Sequence, residues 1–290
     1  MIWKIRDRTL NLSEKTWIMG IVNVTPDSFS DGGSFFGVEE AVTHAKQLVA
    51  DGADLLDIGG ESSRPGAQLV PAEEEWRRVQ PVLERLVKEV DVPLSIDTNK
   101  AEVAEKALGL GAHIVNDITG LTGDPLMAEV VKRFGAGAII MHMQGKPQSM
   151  QEYPTYAHVV EEVKKWLAAR LLELEGIGVA KEALVVDPGI GFGKTAEHNM
   201  ELLANGVQFN SLGRPLLVGP SRKAFIGKIL NLPVTDRVEG TVAASVLAVW
   251  NGANIVRVHD VKAVKRAVQV VDACKVFKKE KSEDRIQKSE

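Results

Sequence analysis

Gly252-Ala253-Asn254-Ile255-Val256-Arg257-Val258-His259 carries the plan of the whole chain. A glycine just past a helix supplies the left-handed turn that sends the backbone into the next element. The run that follows is short and rich in β-branched residues. Most such runs in this chain are near-continuously apolar rather than alternating, as parallel strands covered on both faces require. This one ends on polar residues, Arg257 and His259. Gly-Ala recurs at Gly52-Ala53, Gly111-Ala112 and Gly135-Ala136, each ahead of a similar run.

Working outward, eight such runs are found, at residues 16–24, 54–59, 93–98, 113–118, 136–143, 183–187, 215–219 and 254–259. Segments of helical period separate them. In 157–175, Val159, Val160, Val163, Trp166, Leu167, Leu171 and Leu174 follow a three-to-four spacing. Residues 39–50 and 72–90 behave alike, with Pro81 expected to kink or interrupt the second. Asp124-Pro125 reads as a helix start with proline at its first position. Eight strands with crossover helices predict an α/β TIM (β/α)8 barrel in a single domain, 1–275. A doubly wound open sheet is the alternative; it rarely needs eight strands and places nucleotide glycines after its first strand. Segment 235–251 is apolar on most sides, so it is expected either deep in the barrel shell or in a subunit interface. Residues 276–290 are mostly charged and are expected to form a disordered tail.

Composition narrows the function. Of 290 residues, 44% are hydrophobic and 26% charged, an ordinary globular balance. Lys and Arg total 35 against 39 Asp and Glu, a net charge of −4 that argues against a general nucleic-acid binder. The single cysteine, Cys274, excludes an internal disulfide. No run approaches the ~18 apolar residues of a membrane span, and the first residues carry no signal-peptide pattern, so a cytoplasmic location is expected.

In a barrel enzyme the working groups stand where strands end. Here the ends carry Asn23, Asp57, Asp97, Asn116-Asp117, His142, Asp187, Ser221, and Arg257 with His259. Taken singly, each is a helix cap or turn former. Gathered at one mouth, they imply a polar ligand, because fixing them there costs desolvation otherwise. Carboxylates, amides and cations together suit a ligand with a donor-bearing heterocycle at one end and an anion at the other. The polar loops 25–33 and 59–66 are longer than such connections need and are suited to act as lids. Asp187-Pro188-Gly189-Ile190-Gly191-Phe192-Gly193-Lys194-Thr195 fails as a Walker A loop at Pro188 and as a dinucleotide fingerprint at Lys194. The six histidines show no zinc-ligand spacing.

Asn23-Val24-Thr25-Pro26-Asp27-Ser28-Phe29-Ser30-Asp31-Gly32-Gly33 and Asp57-Ile58-Gly59-Gly60-Glu61-Ser62-Ser63-Arg64-Pro65-Gly66 resemble motifs of the dihydropteroate synthase family. So do Ser95-Ile96-Asp97-Thr98, Val115-Asn116-Asp117, Met141-His142-Met143-Gln144-Gly145 and the 187–194 loop quoted above. Gly219-Pro220-Ser221-Arg222-Lys223 and Arg257-Val258-His259-Asp260-Val261 complete the family order. The resemblance implies a TIM barrel, a homodimer, and condensation of a pterin pyrophosphate with 4-aminobenzoate, with Mg²⁺ as cofactor. By the same resemblance, Asp97, Asn116, Asp187, Lys223, Met141, Phe192, Gly219 and Arg257 would bind the pterin. Asn23, Arg257 and His259 would hold the pyrophosphate, with the metal at Asn23. Ser62, Ser63, Pro65, Phe192 and Ser221 would face the aminobenzoate, and Asp97, Lys223, Phe29, Asp31 and Arg64 would serve the reaction.

Two positions depart from the pattern. Ser63 stands where Thr is common, and Ala224 where a Ser is common. The second departure removes a hydroxyl from the expected aminobenzoate carboxylate site. Two rival readings are a pterin-binding methyltransferase, which would not need the Ser62-Ser63-Arg64 loop or the Lys223, Arg257 and His259 set, and a barrel without activity.

Overall fold

The computed structural model describes residues 1–25, 34–62 and 66–287. Eight parallel strands form one sheet: β3 (Trp17–Asn23), β4 (Leu55–Gly59), β5 (Leu94–Asp97), β6 (Ile114–Asp117), β7 (Gly137–Met141), β8 (Leu184–Asp187), β9 (Leu217–Val218) and β10 (Ile255–Val258). Each falls inside one of the eight apolar runs. The pairing order is β8-β7-β6-β5-β4-β3-β10-β9. A Val186–Leu216 bridge and a Val186 N–H donated to Pro215 O at 2.9 Å join the two ends, closing a TIM barrel.

Helices α1 (Ser34–Ala50), α2 (Ala72–Glu89), α3 (Ala101–Leu110), α4 (Met127–Phe134), α5 (Val159–Ile177), α6 (Ala196–Ala204), α7 (Ala224–Leu230), α8 (Val238–Trp250) and α9 (Val261–Gln287) surround it. Gly52, Gly111, Gly135 and Gly252 all have positive φ, the turn that the repeated Gly-Ala device demands. Pro81 lies inside α2 without ending it. Asp124-Pro125 does not open α4, which begins at Met127; Asp124 instead accepts the N–H groups of Leu126 and, at 2.9 Å, of Ala101 at the start of α3. Helix α9 continues to Gln287, through a segment whose composition had suggested disorder.

The alternation of side chains along the strands sorts the barrel into two cores. Met19, Leu55, Ile114, Ile139, Val185, Leu217 and Ile255 form one buried cluster at its floor. Their strand neighbours, among them Ile18, Leu56, Val115, Ile140, Val186, Val218 and Val256, belong to the other cluster, which packs against the helices. Because successive residues alternate faces, counting up by two from the floor gives Asn23, Asp57, Asp97, Asn116, Met141, Asp187, Gly219, Arg257 and His259. All of these therefore have inward parity. Asp117 and His142 have the opposite parity.

A feature not foreseen is the hairpin of β1 (Ile2–Ile5) and β2 (Arg8–Asn11). Its Trp3, Ile5 and Leu10 join the floor cluster and plug that end of the barrel. Trp3 Nε1 donates to Ala183 O at 2.8 Å. A side chain at Gly137 would stand 2.4 Å from Ile5, so only glycine lets the plug seat.

Candidate active site

Above the hydrophobic floor the barrel interior turns polar. Asp57 is fully buried and stands one step above Leu55 on β4. Its Oδ2 accepts Arg257 Nε at 2.6 Å and Asn116 Nδ2 at 2.8 Å. Arg257 Nη2 donates to Asp97 Oδ2, also at 2.6 Å. Thus β4, β5, β6 and β10 are tied through one guanidinium and one amide. A carboxylate flanked by this arginine and still largely desolvated resists ionising. Burial lifts Asp97 to about 7 against the opposing pull of Arg257.

Asp187 closes the opposite side. Its Oδ1 accepts the Gly189 N–H at 2.7 Å, and burial raises its carboxyl to about 6 while that bond, Lys223, Lys194 and Arg257 oppose the rise. Lys223 stands over the Phe192 ring, 4.0 Å from its centroid, a cation–π contact. Burial and then Arg257 bring its ammonium down to about 8, against Asp187 and Asp97. Gly191 (φ +82°) lets the lysine stem pass; a Cβ there would meet Lys223 Cδ at 2.9 Å. Phe192 also packs with Met141 and Met150, with Ile118 and Met143 at the margin. An apolar shelf therefore borders a ring of carboxylates, amide and cations.

His259 marks the end nearer solvent. Its Nδ1 lies 3.0 Å from Ser221 Oγ, and its backbone N–H donates to that same oxygen at 3.1 Å. Burial, then Arg257 and Arg222, hold the imidazole at about 3, so it is neutral at ordinary pH. Next along both loops, Arg222 makes a two-point pair with Asp260, at 3.0 and 2.6 Å.

Of the site residues expected from sequence, Asp97, Asn116, Asp187, Lys223, Phe192, Met141, Gly219, Arg257, His259 and Ser221 come together in this region, and Asn23 shares the same register layer through Gly59 and Asp97. Ser62 is partly buried at the edge of its loop. Phe29, Asp31, Ser63, Arg64 and Pro65 lie outside the described residues. Ser221, expected to face aminobenzoate, has its Oγ 3.0 Å from His259 Nδ1. Among the described residues no group of three or more His, Cys, Asp or Glu is arranged to hold a metal. An amide oxygen such as that of Asn23 is a hard donor of the kind Mg²⁺ accepts beside phosphate oxygens and water.

The chain matches the pterin binding enzyme family over residues 19–259. It is 48% identical to dihydropteroate synthase of Synechocystis sp. over 261 residues, 90% of each chain. The family follows. This chain belongs to the dihydropteroate synthases. It is therefore an enzyme, a transferase of folate synthesis. Among solved structures it resembles Yersinia pestis dihydropteroate synthase in a sulfonamide drug complex (TM-score 0.90, 44% identity, 95% of this chain and 100% of that one). It resembles Xanthomonas albilineans dihydropteroate synthase with 4-aminobenzoic acid nearly as well (TM-score 0.88, 45% identity, 94% and 98%).

Two groups in this dihydropteroate synthase family member had not been assigned a site role from sequence. In sequence Asp57 is a strand-end acid like the others, and its parity with Gly59 places it inside the barrel. Lys194 donates to Phe192 O at 2.9 Å and lies 3.1 Å from His142 Nδ1, pinning the β8 loop to the end of β7. Burial lowers its ammonium to about 7. Asp117, by contrast, points outward and caps its own turn by accepting from the Thr119 hydroxyl and the Thr119 and Leu121 N–H groups.

Proposed function

We propose that this chain condenses 6-hydroxymethyl-7,8-dihydropterin pyrophosphate with 4-aminobenzoate, giving 7,8-dihydropteroate and pyrophosphate. The observation that carries the reading is that Asp97, Asn116, Asp187 and Lys223 stand together at one end of the barrel interior, around an Arg257 that pairs with Asp57 and Asp97 and acts electrostatically on Asp187, Lys223 and His259. Asn116 and Asp187 offer acceptors to the amino-pyrimidine edge. Lys223 offers a donor to the ring oxygen, and Arg257 and His259 meet the pyrophosphate.

The proposed route is a dissociative displacement. The methylene carbon–oxygen bond breaks with its electron pair leaving on pyrophosphate. The cation left on the dihydropterin is stabilised electrostatically by Asp97 in its ionised form, which Arg257 favours and burial opposes. The neutral arylamine then donates its lone pair to the methylene and loses a proton, so no strong base is required. Phe192 supplies an apolar wall that keeps water off the cation. Mg²⁺ bound at Asn23 would neutralise charge on the leaving pyrophosphate. Oxygen-18 placed in the bridging position of the pterin pyrophosphate should scramble in recovered substrate; retention of the label at that position would contradict a dissociative route.

We assign the homodimer that the family resemblance implies to the α8–α9 face, a reading supported by the exposure of Leu247, Trp250, Val270 and Phe277. Among the described residues no helix is long and apolar enough to cross a membrane. We assign the chain to the cytoplasm on its likeness to biosynthetic enzymes. Incubation with the pterin pyrophosphate, 4-aminobenzoate and Mg²⁺ tests the reading: equal amounts of dihydropteroate and pyrophosphate are expected. A chain that forms neither does not carry out the proposed condensation.

A further inference from the structure

We infer that Ser221 is the positioning residue that fixes His259 as the tautomer carrying its proton on Nε2, and so aims an N–H donor at the leaving pyrophosphate. The inference rests on the proposed reaction for its purpose, but its geometry stands independently.

Ser221 Oγ is buried, and two groups of His259 approach it. The backbone N–H of His259 donates to Oγ at 3.1 Å, and ring Nδ1 lies 3.0 Å away. A hydroxyl has one hydrogen to give. Among the described residues, the acceptor within reach of that hydrogen is Nδ1. If Nδ1 carried a proton and donated instead, Oγ would receive two hydrogens and its own would be left buried without a partner. A buried unmade hydrogen bond is the costly arrangement. The satisfied arrangement makes Oγ–H the donor and Nδ1 the acceptor. The ring is then neutral and its hydrogen sits on Nε2.

The surroundings hold this arrangement in register. Arg222 follows Ser221 and pairs with Asp260, which follows His259, so the two loops are joined by two consecutive rungs. Arg222 adopts φ +55°, a left-handed backbone unusual for a residue with a side chain. Three contacts keep it there: the Asp260 pair, its own N–H donated to Thr241 Oγ1 at 3.0 Å, and its carbonyl accepting Arg237 Nη1 at 3.0 Å. The charged groups acting on the ring are Arg257, Arg222 and Lys223, with Asp260 opposing. In such positive surroundings a neutral imidazole adds a directional donor without a fourth charge.

The test uses the full chain with ¹⁵N-labelled histidine. Ring-nitrogen spectra at neutral pH should show His259 Nδ1 as the unprotonated, pyridine-type nitrogen and Nε2 as the pyrrole-type one. A protonated Nδ1 would overturn the inference. Ser221→Ala should free the ring, doubling or broadening these signals, and weaken inorganic pyrophosphate in calorimetry by about five- to ten-fold, the worth of one ordinary hydrogen bond. Ser221→Thr keeps the hydroxyl and should restore both. An alanine variant with the same single tautomer and unchanged pyrophosphate affinity would overturn the role. So would one whose only change is a higher KM for 4-aminobenzoate, which would make Ser221 a direct substrate contact. Failure of pyrophosphate to bind the unaltered chain would count against the proposed reaction, while the spectra would still decide the tautomer.

Discussion

Asn116 Nδ2 lies 2.8 Å from Asp57 Oδ2, with both side chains buried. An ionised carboxylate only accepts, so the amide must turn its NH₂ toward Asp57. Its oxygen is left for the cavity. The same Oδ2 accepts Arg257 Nε, so one buried oxygen sets the orientation of both side chains.

Replacing Asp57 by Val keeps a similar shape but removes that oxygen. The Asn116 amide is then free to flip and Arg257 retains only Asp97. Affinity for the pterin pyrophosphate should fall at least ten-fold, on the order of 1.5–3 kcal/mol for lost bonds to charged groups. Calorimetry on variant that is folded by circular dichroism checks this. Unchanged affinity would remove Asp57 from the site.

Asp187→Asn separates binding from stability. The Asn oxygen keeps the Gly189 N–H, and its NH₂ then faces ligand N–H groups, so pterin binding should be lost. The free chain should gain stability, because the folded carboxyl titrates at about 6, above its ordinary value of 3.8. A raised folded value means that stability falls as pH climbs from about 4 through 6. The variant escapes that loss, so its advantage in Tm should be present at pH 8 and gone by about pH 4. An advantage that grows toward acid would reverse the assigned sign.

Ala224 is exposed as the first residue of α7, beside Lys223. Ala224→Ser restores a hydroxyl there and should lower the KM for 4-aminobenzoate about five-fold, roughly 1 kcal/mol. An equal or higher KM would move the carboxylate elsewhere.

Trp250 and Leu247 are 48% and 42% exposed on α8, more than a helix face covered by its own barrel would leave. Charge on both, Leu247→Glu with Trp250→Glu, should convert a dimer into a monomer by light scattering. A variant dimer of undiminished stability would place the interface on another face.

The barrel was legible because most of the runs were short, near-continuously apolar and led into a polar residue, and because Gly-Ala marked four of the entries. The polar crown was legible for the same reason. What the runs concealed was parity. Asp57 and Asp117 look alike as strand-end acids, yet the first faces the cavity and the second caps its own turn. Only the register from Leu55 and Ile114 separates them. The floor hairpin hid because Trp3 and Ile5 alternate with Ile2 and Lys4 over a stretch too short to stand out. The tail misled because composition reports solvation, whereas Val261, Val264, Val268 and Val271 bury one side of α9 and let the helix propagate onward.

The most direct measurement is a crystal structure of the chain soaked with dihydropterin pyrophosphate and Mg²⁺. The pterin ring should lie against Asp187 and Asn116 with its pyrophosphate at His259, Arg257 and Asn23. A pterin seated away from Asp187 and Asn116, or a pyrophosphate pointing away from His259, would contradict the reading of the barrel mouth as one continuous two-ended site.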